Sequence, residues 1–107
     1  MLSIVICFNS SSVTSIGYNS FEGCKKLKEI NLPDSINSIG ADAFKKCQSL
    51  QKIVFPSSIT SIERSAFEDC INLTVIYILS PVISIGSDAF RNCPSLYEIY
   101  CNPQKNI

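Results

Sequence analysis

The sequence repeats itself at a fixed interval of 23 residues, and this period constrains the fold more than any other feature. The phrase Ser-Ile-Gly-x-x-Ala-Phe-x-x-Cys-x-x-Leu-x-x-Ile returns four times with few substitutions and no insertion. Its phenylalanines are Phe21, Phe44, Phe67 and Phe90. Self-similarity at an interval of roughly 20 to 50 residues is typical of a solenoid, in which each repeat forms one coil and stacks on the next. We therefore expect the four phenylalanines to stack in one buried column.

Aligned on that phenylalanine, the repeats predict four complete coils and two incomplete ends. We predict a partial N-terminal coil over residues 1–12, which supplies the strand of a preceding repeat, and a truncated tail over 105–107. The four repeats span 13–35, 36–58, 59–81 and 82–104. Neither end has an evident polar cap, and solenoids need capped ends to stay soluble. The chain is therefore a fragment of a longer array, a small divergent copy, or a protein that covers its uncapped ends by self-association.

Each repeat contains two segments with the character of a short strand. In the first repeat, Leu27, Ile30 and Leu32 form the pattern Leu-x-x-Ile-x-apolar, whose last two positions point to one side of a pleated strand. Pro33 ends this strand, because proline has no amide to donate to a ladder. The segment Val13–Ile16 has β-branched residues at both ends, which favours a second strand.

The segment between these two strands is predicted to form one helical turn. Its first position holds side chains whose oxygen caps free helix amides, namely Asn19, Asp42, Ser65 and Asp88. The preceding glycines, Gly17, Gly40 and Gly86, suit a backbone site of positive φ. Glu63 replaces glycine in the third repeat, so φ there is ordinary or that repeat is strained. The expected fold class is an α/β repeat solenoid of short strands and one-turn helices.

Composition excludes several classes of function. The 107 residues suit one domain, and 46% hydrophobic content suffices to bury a core. Nine basic residues balance nine acidic ones, so no long-range positive field favours nucleic acid. The chain has no histidine, which removes the usual general base and the commonest metal ligand. The longest apolar run, residues 2–8 apart from Ser3, is far shorter than the roughly 20 residues of a membrane span. We predict a strand there in preference to a signal peptide, because no basic residue precedes the run.

Two columns of reactive residue types recur with the repeat, and both are interpreted as structural. Cys24, Cys47, Cys70 and Cys93 share one position, and we expect them to be small buried apolar residues. No Cys-x-x-Cys pair supports a zinc site, and Cys7 and Cys101 lie outside the column. The serine column of Ser15, Ser38, Ser61 and Ser84 lacks a base, so we expect its hydroxyls to bond to neighbouring backbone.

Residues 37–56 carry a family resemblance. They read Asn-Ser-Ile-Gly-Ala-Asp-Ala-Phe-Lys-Lys-Cys-Gln-Ser-Leu-Gln-Lys-Ile-Val-Phe-Pro, which resembles the BspA-type leucine-rich repeat, also known from treponemal surface proteins. The resemblance extends from Val13 to about Pro103, with departures at Ser20, Glu63 and Cys101. It implies a right-handed superhelix with parallel strands, found in bacterial and protist surface proteins that adhere to host proteins or cells. A cell-surface or extracellular location is thus an expectation from resemblance alone, and no catalytic residue, metal or cofactor is implied.

The outward strand positions form the candidate interaction face, because in a leucine-rich solenoid they make one continuous surface. Along the stack this face changes from charged to aromatic. We define the tyrosine patch as the aromatic end, comprising Val54, Val75, Tyr77, Tyr97 and Tyr100. Exposed tyrosine and valine are typical of interaction hot spots, whereas the alternative is ordinary packing of tyrosines across neighbouring strands.

The sequence favours a non-enzymatic binding and adhesion module that presents its strand-lined face to a protein or glycan partner. The alternative is a structural spacer within a longer array, which would bind nothing when tested alone. An enzymatic role is disfavoured because no column of carboxylates recurs: Glu22, Lys45, Glu68 and Arg91 share one position and alternate in sign.

Overall fold

The chain folds into short strands joined by turns. The computed structural model describes residues 4–7, 12–80 and 83–101, with the backbone alone for residues 4–7. Within these ranges there are nine strands and no helix, and hence no helix that could span a membrane. In chain order the strands are β1 (Ile4–Cys7), β2 (Ser15–Ile16), β3 (Leu27–Asn31), β4 (Ser38–Ile39), β5 (Lys52–Phe55), β6 (Ser61–Ile62), β7 (Val75–Ile78), β8 (Ser84–Ile85) and β9 (Glu98–Cys101).

The strands pair in parallel across neighbouring coils. The two-residue strands β2, β4, β6 and β8 form one sheet, in which serine pairs with serine and isoleucine with isoleucine. The longer strands form two further sheets, β5-β7-β9 and β1-β3. Ile53 pairs with Ile76 and Ile76 with Ile99, so identical repeat positions lie side by side as the period predicts. The chain is a parallel-strand β-solenoid of four successive coils.

The segments predicted to be helical turns are instead series of non-helical turns, which are hydrogen-bonded to the next coil. In the second coil, the amides of Asp42, Phe44 and Lys46 donate to carbonyl oxygens of the third coil at 3.2, 2.8 and 2.8 Å. The intervening amides donate three residues back within their own coil. A helix would close all these amides onto its own carbonyls four residues earlier. The helix prediction is therefore wrong, because every second amide in this segment pairs with a neighbouring coil.

These turns have left-handed backbone, with positive φ, at two positions in each coil. Neither position is the glycine column for which positive φ was predicted. The first column is Asn19 (φ 45°), Asp42 (59°), Ser65 (56°) and Asp88 (59°), and the second is Gly23 (74°), Lys46 (64°), Asp69 (62°) and Asn92 (55°). The supposed helix caps are thus turn residues, and Asn and Asp are common there because they tolerate positive φ better than most side chains. Glu63 has no positive φ, so the φ of the glycine column is ordinary.

Glycine follows the short strands because neighbouring coils approach closely there. A Cβ built on Gly40 would lie 2.8 Å from the backbone carbon of Gly17 and 2.8 Å from the carbonyl oxygen of Ile16. A Cβ on Gly86 would likewise meet the backbone nitrogen of Arg64. The amide of Gly40 donates to the same Ile16 oxygen at 2.8 Å. At Gly40 and Gly86 glycine permits a close approach between coils, which is a packing constraint and not one of φ.

The core consists of side-chain columns that run along the stack. Phe21, Phe44, Phe67 and Phe90 stack in single file, with ring centroids 5.3, 5.0 and 5.4 Å apart and planes within 8°. Phe44 and Phe67 are completely buried, and the end members are partly buried. Phe55 adds an edge-on contact to Phe67 at 5.5 Å. The phenylalanine column predicted from the period is confirmed.

Hydroxyl groups also bond to backbone about one turn of the solenoid away, but from serines other than those predicted. The hydroxyls of Ser35, Ser58 and Ser80 donate at 2.5, 2.6 and 2.6 Å to the backbone oxygens of the residues that begin their own repeats, Val13, Ile36 and Ile59. The predicted serine column lies in the short strands instead. Within the described ranges its one recorded side-chain bond joins Ser61 to Glu63 at 3.5 Å.

Burial falls in the fourth coil. Ile85 and Ile99 occupy core columns, yet they are 48% and 55% exposed, and Cys101 is exposed as well. At the other end, β1 pairs with β3 and so lies on the first coil. Residues 1–3 and 8–11 of the predicted N-terminal coil, and the predicted tail, lie outside the described residues.

Replacement of Phe44 by alanine should lower the free energy of unfolding by about 3 to 5 kcal/mol, because it empties a fully buried site between two stacked rings. Chemical denaturation measures the loss. Tyr18→Ala is the control, since that ring is 62% exposed and its removal should cost less than about 1 kcal/mol. A similar small loss for Phe44→Ala would contradict burial of the column.

Candidate functional site

The tyrosine patch lies on one face of the sheet β5-β7-β9. Val54 pairs with Tyr77, and Tyr77 pairs with Tyr100, so these three form one outward column across three coils. The rings of Tyr77 and Tyr100 are parallel within 12°, with centroids 5.0 Å apart. Val75 lies two residues before Tyr77 on the same strand face, and Tyr97 directly precedes β9.

Exposure within the tyrosine patch increases toward the fourth coil. Tyr97 is 75% exposed, Tyr100 is 41% exposed and Val54 is 36% exposed, while Val75 and Tyr77 are partly buried. Stacking and exposure therefore coexist. Tyr77 and Tyr100 pack across strands, as the alternative interpretation expected, while Tyr97 and the outer part of Tyr100 remain accessible to a partner.

Glu98 fixes the hydroxyl end of the stacked pair. The Tyr100 hydroxyl donates to a carboxylate oxygen of Glu98 at 2.6 Å. This hydrogen bond, together with the negative charge of Glu98, raises the pKa of Tyr100 above its ordinary value, because both favour the protonated phenol. The pair presents a rigid flat ring beside one anionic group.

A polar groove lies at the charged end of the same face. We define the lysine groove by its lining residues, which come from three successive coils: Lys28, Glu29, Gln51, Lys52, Thr74 and Val75. Its volume is about 320 Å³, at the lower end of the range for small-ligand sites. The sequence placed these residues on the outward face, but nothing in the period predicted a concavity. The sequence signal that could have indicated the groove is the series of polar residues at outward strand positions in three successive repeats.

The cysteine column is structural, and it makes one contact that the sequence did not predict. The thiols of Cys47, Cys70 and Cys93 donate to the carbonyl oxygens of Phe21, Phe44 and Phe67 in the preceding coils, at 3.2, 3.1 and 3.2 Å. Cys47 and Cys70 are buried as predicted, and Cys24 and Cys93 are partly buried. The described cysteines are free thiols.

Burial shifts the ionisation of these thiols. Desolvation, together with a smaller repulsion from neighbouring Cys24, raises the pKa of Cys47 from 9.0 to about 12. Burial likewise raises the pKa of Cys70 and of Cys93. A thiolate is the reactive and metal-binding form of cysteine, so the buried thiols are poor nucleophiles at neutral pH. Across the described ranges, no cluster of three His, Cys, Asp or Glu residues has the arrangement of a metal site.

Both the sequence and the fold are similar to those of known proteins. A family model described as "BspA type Leucine rich repeat region (6 copies)" matches residues 3–107. A leucine-rich repeat protein from Bacteroides ovatus is 30% identical, with a TM-score of 0.81 over 89% of this chain and 24% of its own. The leucine-rich repeat protein of T. pallidum, TpLRR, is 30% identical, with a TM-score of 0.76 over 86% of this chain and 42% of its own. The search of curated proteins gave no match.

The chain thus spans about a quarter of the Bacteroides ovatus protein and less than half of the T. pallidum protein. Both similarities cover most of the present sequence at the same level of identity. They support the repeat fold directly. They do not assign the binding partners of the longer relatives to this chain.

In the native protein at pH 8, a thiol reagent should label Cys101 promptly and should label Cys47 and Cys70 only after unfolding.

Because the pKa of Cys47 is raised from 9.0 to about 12, its contribution to stability is full below pH 9 and is lost as pH rises toward 12. Denaturation midpoints measured across this interval should fall more steeply for wild type than for Cys47→Ala. Equal slopes, or prompt labelling of Cys47, would contradict the buried assignment.

Proposed function

The chain belongs to the BspA-type leucine-rich repeat family, and on that premise we propose that it is a non-enzymatic adhesion module that binds a protein or glycan at the cell surface. Proteins of this repeat family commonly serve as binding or structural elements. The binding element in this chain is the outward face of the sheet β5-β7-β9. The observation that carries the proposal is the exposure of aromatic side chains on a face held rigid by the stacked coils.

The tyrosine patch has the properties of a contact surface. Tyr97 and Tyr100 offer large amphipathic rings that lose little conformational entropy on binding. Tyr100 is held by its stack on Tyr77 at 5.0 Å and by its bond to Glu98 at 2.6 Å, so its orientation is set before a partner arrives. Such preorganisation lowers the cost of association. Val54 and Val75 extend the patch with small apolar surface.

A structural spacer is the second candidate function. The stack of Tyr77 on Tyr100 supports it, because cross-strand aromatic packing stabilises a sheet whether or not a partner binds. The short share of the relatives' length that the chain spans also suits a segment of a longer array. A spacer and a binding module differ in one respect, since the spacer has no ligand of its own.

The variant Tyr77→Ser/Tyr100→Ser should keep the fold and lose capture of partners, because both rings lie outside the buried core. The assay is an array of immobilised glycans and extracellular matrix proteins, probed with the purified chain. We expect capture to fall at least about tenfold, the scale of losing one interface hot spot. Circular dichroism and the denaturation midpoint check the fold.

Tyr18→Ser is the matched control, because it removes an exposed tyrosine from the first coil. It should capture the same partners as wild type. Equal capture by the double variant would exclude the tyrosine patch as the binding surface. A wild-type chain that captures nothing on the array would favour the spacer.

A further inference from the structure

The regular ladder of strands is interrupted beside the lysine groove. Pairing between β1 and β3 shifts by one residue, so that Ile4 faces Leu27 but Val5 faces Glu29, and Lys28 is passed over. In the described chain no ladder joins β3 to β5. The amide of Gln51 lies 3.4 Å from the Lys28 carbonyl oxygen, whereas the equivalent bond one coil later, from Thr74 to Gln51, is 2.9 Å. Irregularities of this kind often occur beside functional sites, where they re-aim a side chain.

The polar groups of the lysine groove are available to a ligand. In the part of the chain that the structure describes, the side chains of Lys28, Glu29, Gln51 and Lys52 make no hydrogen bond and no ion pair with another residue. Thr74 donates its hydroxyl to the Gln51 carbonyl oxygen at 3.0 Å and retains its acceptor capacity. Elsewhere on the same face, by contrast, the side chains of Tyr100 and Glu98 are hydrogen-bonded to each other.

The chemistry of these groups is that of a mixed site with a positive excess. Two ammonium groups and one carboxylate give the groove a charge of +1. The ammonium groups only donate, the Glu29 carboxylate only accepts, and the Gln51 amide does both. Val75 supplies an apolar wall and leads to the ring of Tyr77 on the same strand. A complementary ligand carries one anionic group, several hydroxyls and an apolar ring face.

We infer that the lysine groove binds an acidic saccharide, that is, a sugar ring that carries a carboxylate. This inference rests on the proposed binding function and names its ligand class. Lys28 and Lys52 hold the carboxylate through charge-assisted hydrogen bonds, and Glu29 and Gln51 accept from the ring hydroxyls. The carbon face of the ring packs on Val75, the member of the tyrosine patch that also lines the groove. The adjoining aromatic rings then serve as a platform for further sugar units.

An acidic peptide fits the lysine groove less well. Lys28, Gln51 and Thr74 share one repeat position in successive coils, so the groove runs across the strands and a peptide lying in it cannot extend a ladder. The Glu29 carboxylate needs hydrogen-bond donors, which the hydroxyls of a sugar ring supply and the side-chain carboxylates of an acidic peptide do not. These two features favour the saccharide.

Galacturonic acid trimer and its fully methyl-esterified form provide matched probes, because the ester removes the charge and keeps the ring. Titration followed by amide chemical shifts should show that the acid binds at least about tenfold more tightly than the ester, as expected for charge-assisted bonds. The preference should weaken as salt is raised. Shifts should concentrate at residues that line the groove.

The variant Lys28→Gln/Lys52→Gln should abolish the preference for the acid trimer. Lys45→Gln/Lys46→Gln makes the same charge change outside the groove and should retain it. Equal loss in both variants would show that net charge alone attracts the probe and would overturn the site. Equal affinity for acid and ester, or tighter binding of a glutamate tripeptide, would overturn the saccharide assignment.

Failure of this inference is distinguishable from failure of the proposed function. If the chain captures partners on the array through the tyrosine patch but does not distinguish acid from ester, the saccharide inference alone is wrong. If the chain captures no partner and binds neither trimer, both are wrong. Tyr77→Ser/Tyr100→Ser should retain the preference for the acid, since its lysines are unchanged.

Discussion

Each coil of this protein depends on its neighbours for both its dry interior and its backbone hydrogen bonds. The phenylalanine rings stack at 5.0 to 5.4 Å, and every second amide of the turn segment donates to the next coil. A single coil can satisfy neither requirement, because it has only one ring of the column and every second turn amide has no acceptor within the coil. The stability of the fold therefore comes from contacts between neighbouring coils, as in other repeat proteins. The strict 23-residue spacing follows, since one inserted residue would misalign every column at once.

The same stacking produces the surface proposed to bind a partner. Inward positions must repeat to keep the core continuous, whereas outward positions are free to vary from coil to coil. Along one outward column the residues change from Asn31 to Val54, Tyr77 and Tyr100 while the backbone stays the same. A charged groove and an aromatic patch thus adjoin on one rigid face and share Val75. This arrangement supports recognition of an extended ligand by several chemically different contacts.

The sequence predicted those features that depend on periodicity. Stacked phenylalanines, parallel pairing at an interval of 23 residues and burial of Cys47 and Cys70 all follow from one repeated pattern. It did not predict features that depend on the contact between coils. The prediction of a helical turn was wrong because every second turn amide donates to the next coil. Position 40 requires glycine because the backbone of Gly17 lies close to it, and not because of its own φ. Likewise, the register shift near Lys28, beside the groove, has no local sequence signature.

Hydrogen exchange of the turn amides tests the stacked-coil account most directly. The amides of Phe44 and Phe67 donate to the next coil at 2.8 Å, so they should exchange slowly and with the same opening free energy as strand amides such as that of Ile76. Addition of denaturant should release both groups together, because turn and strand belong to one cooperative stack. Fast exchange at Phe44 and Phe67, with the strand amides still protected, would show that the coils are held by their strands alone and would contradict the account.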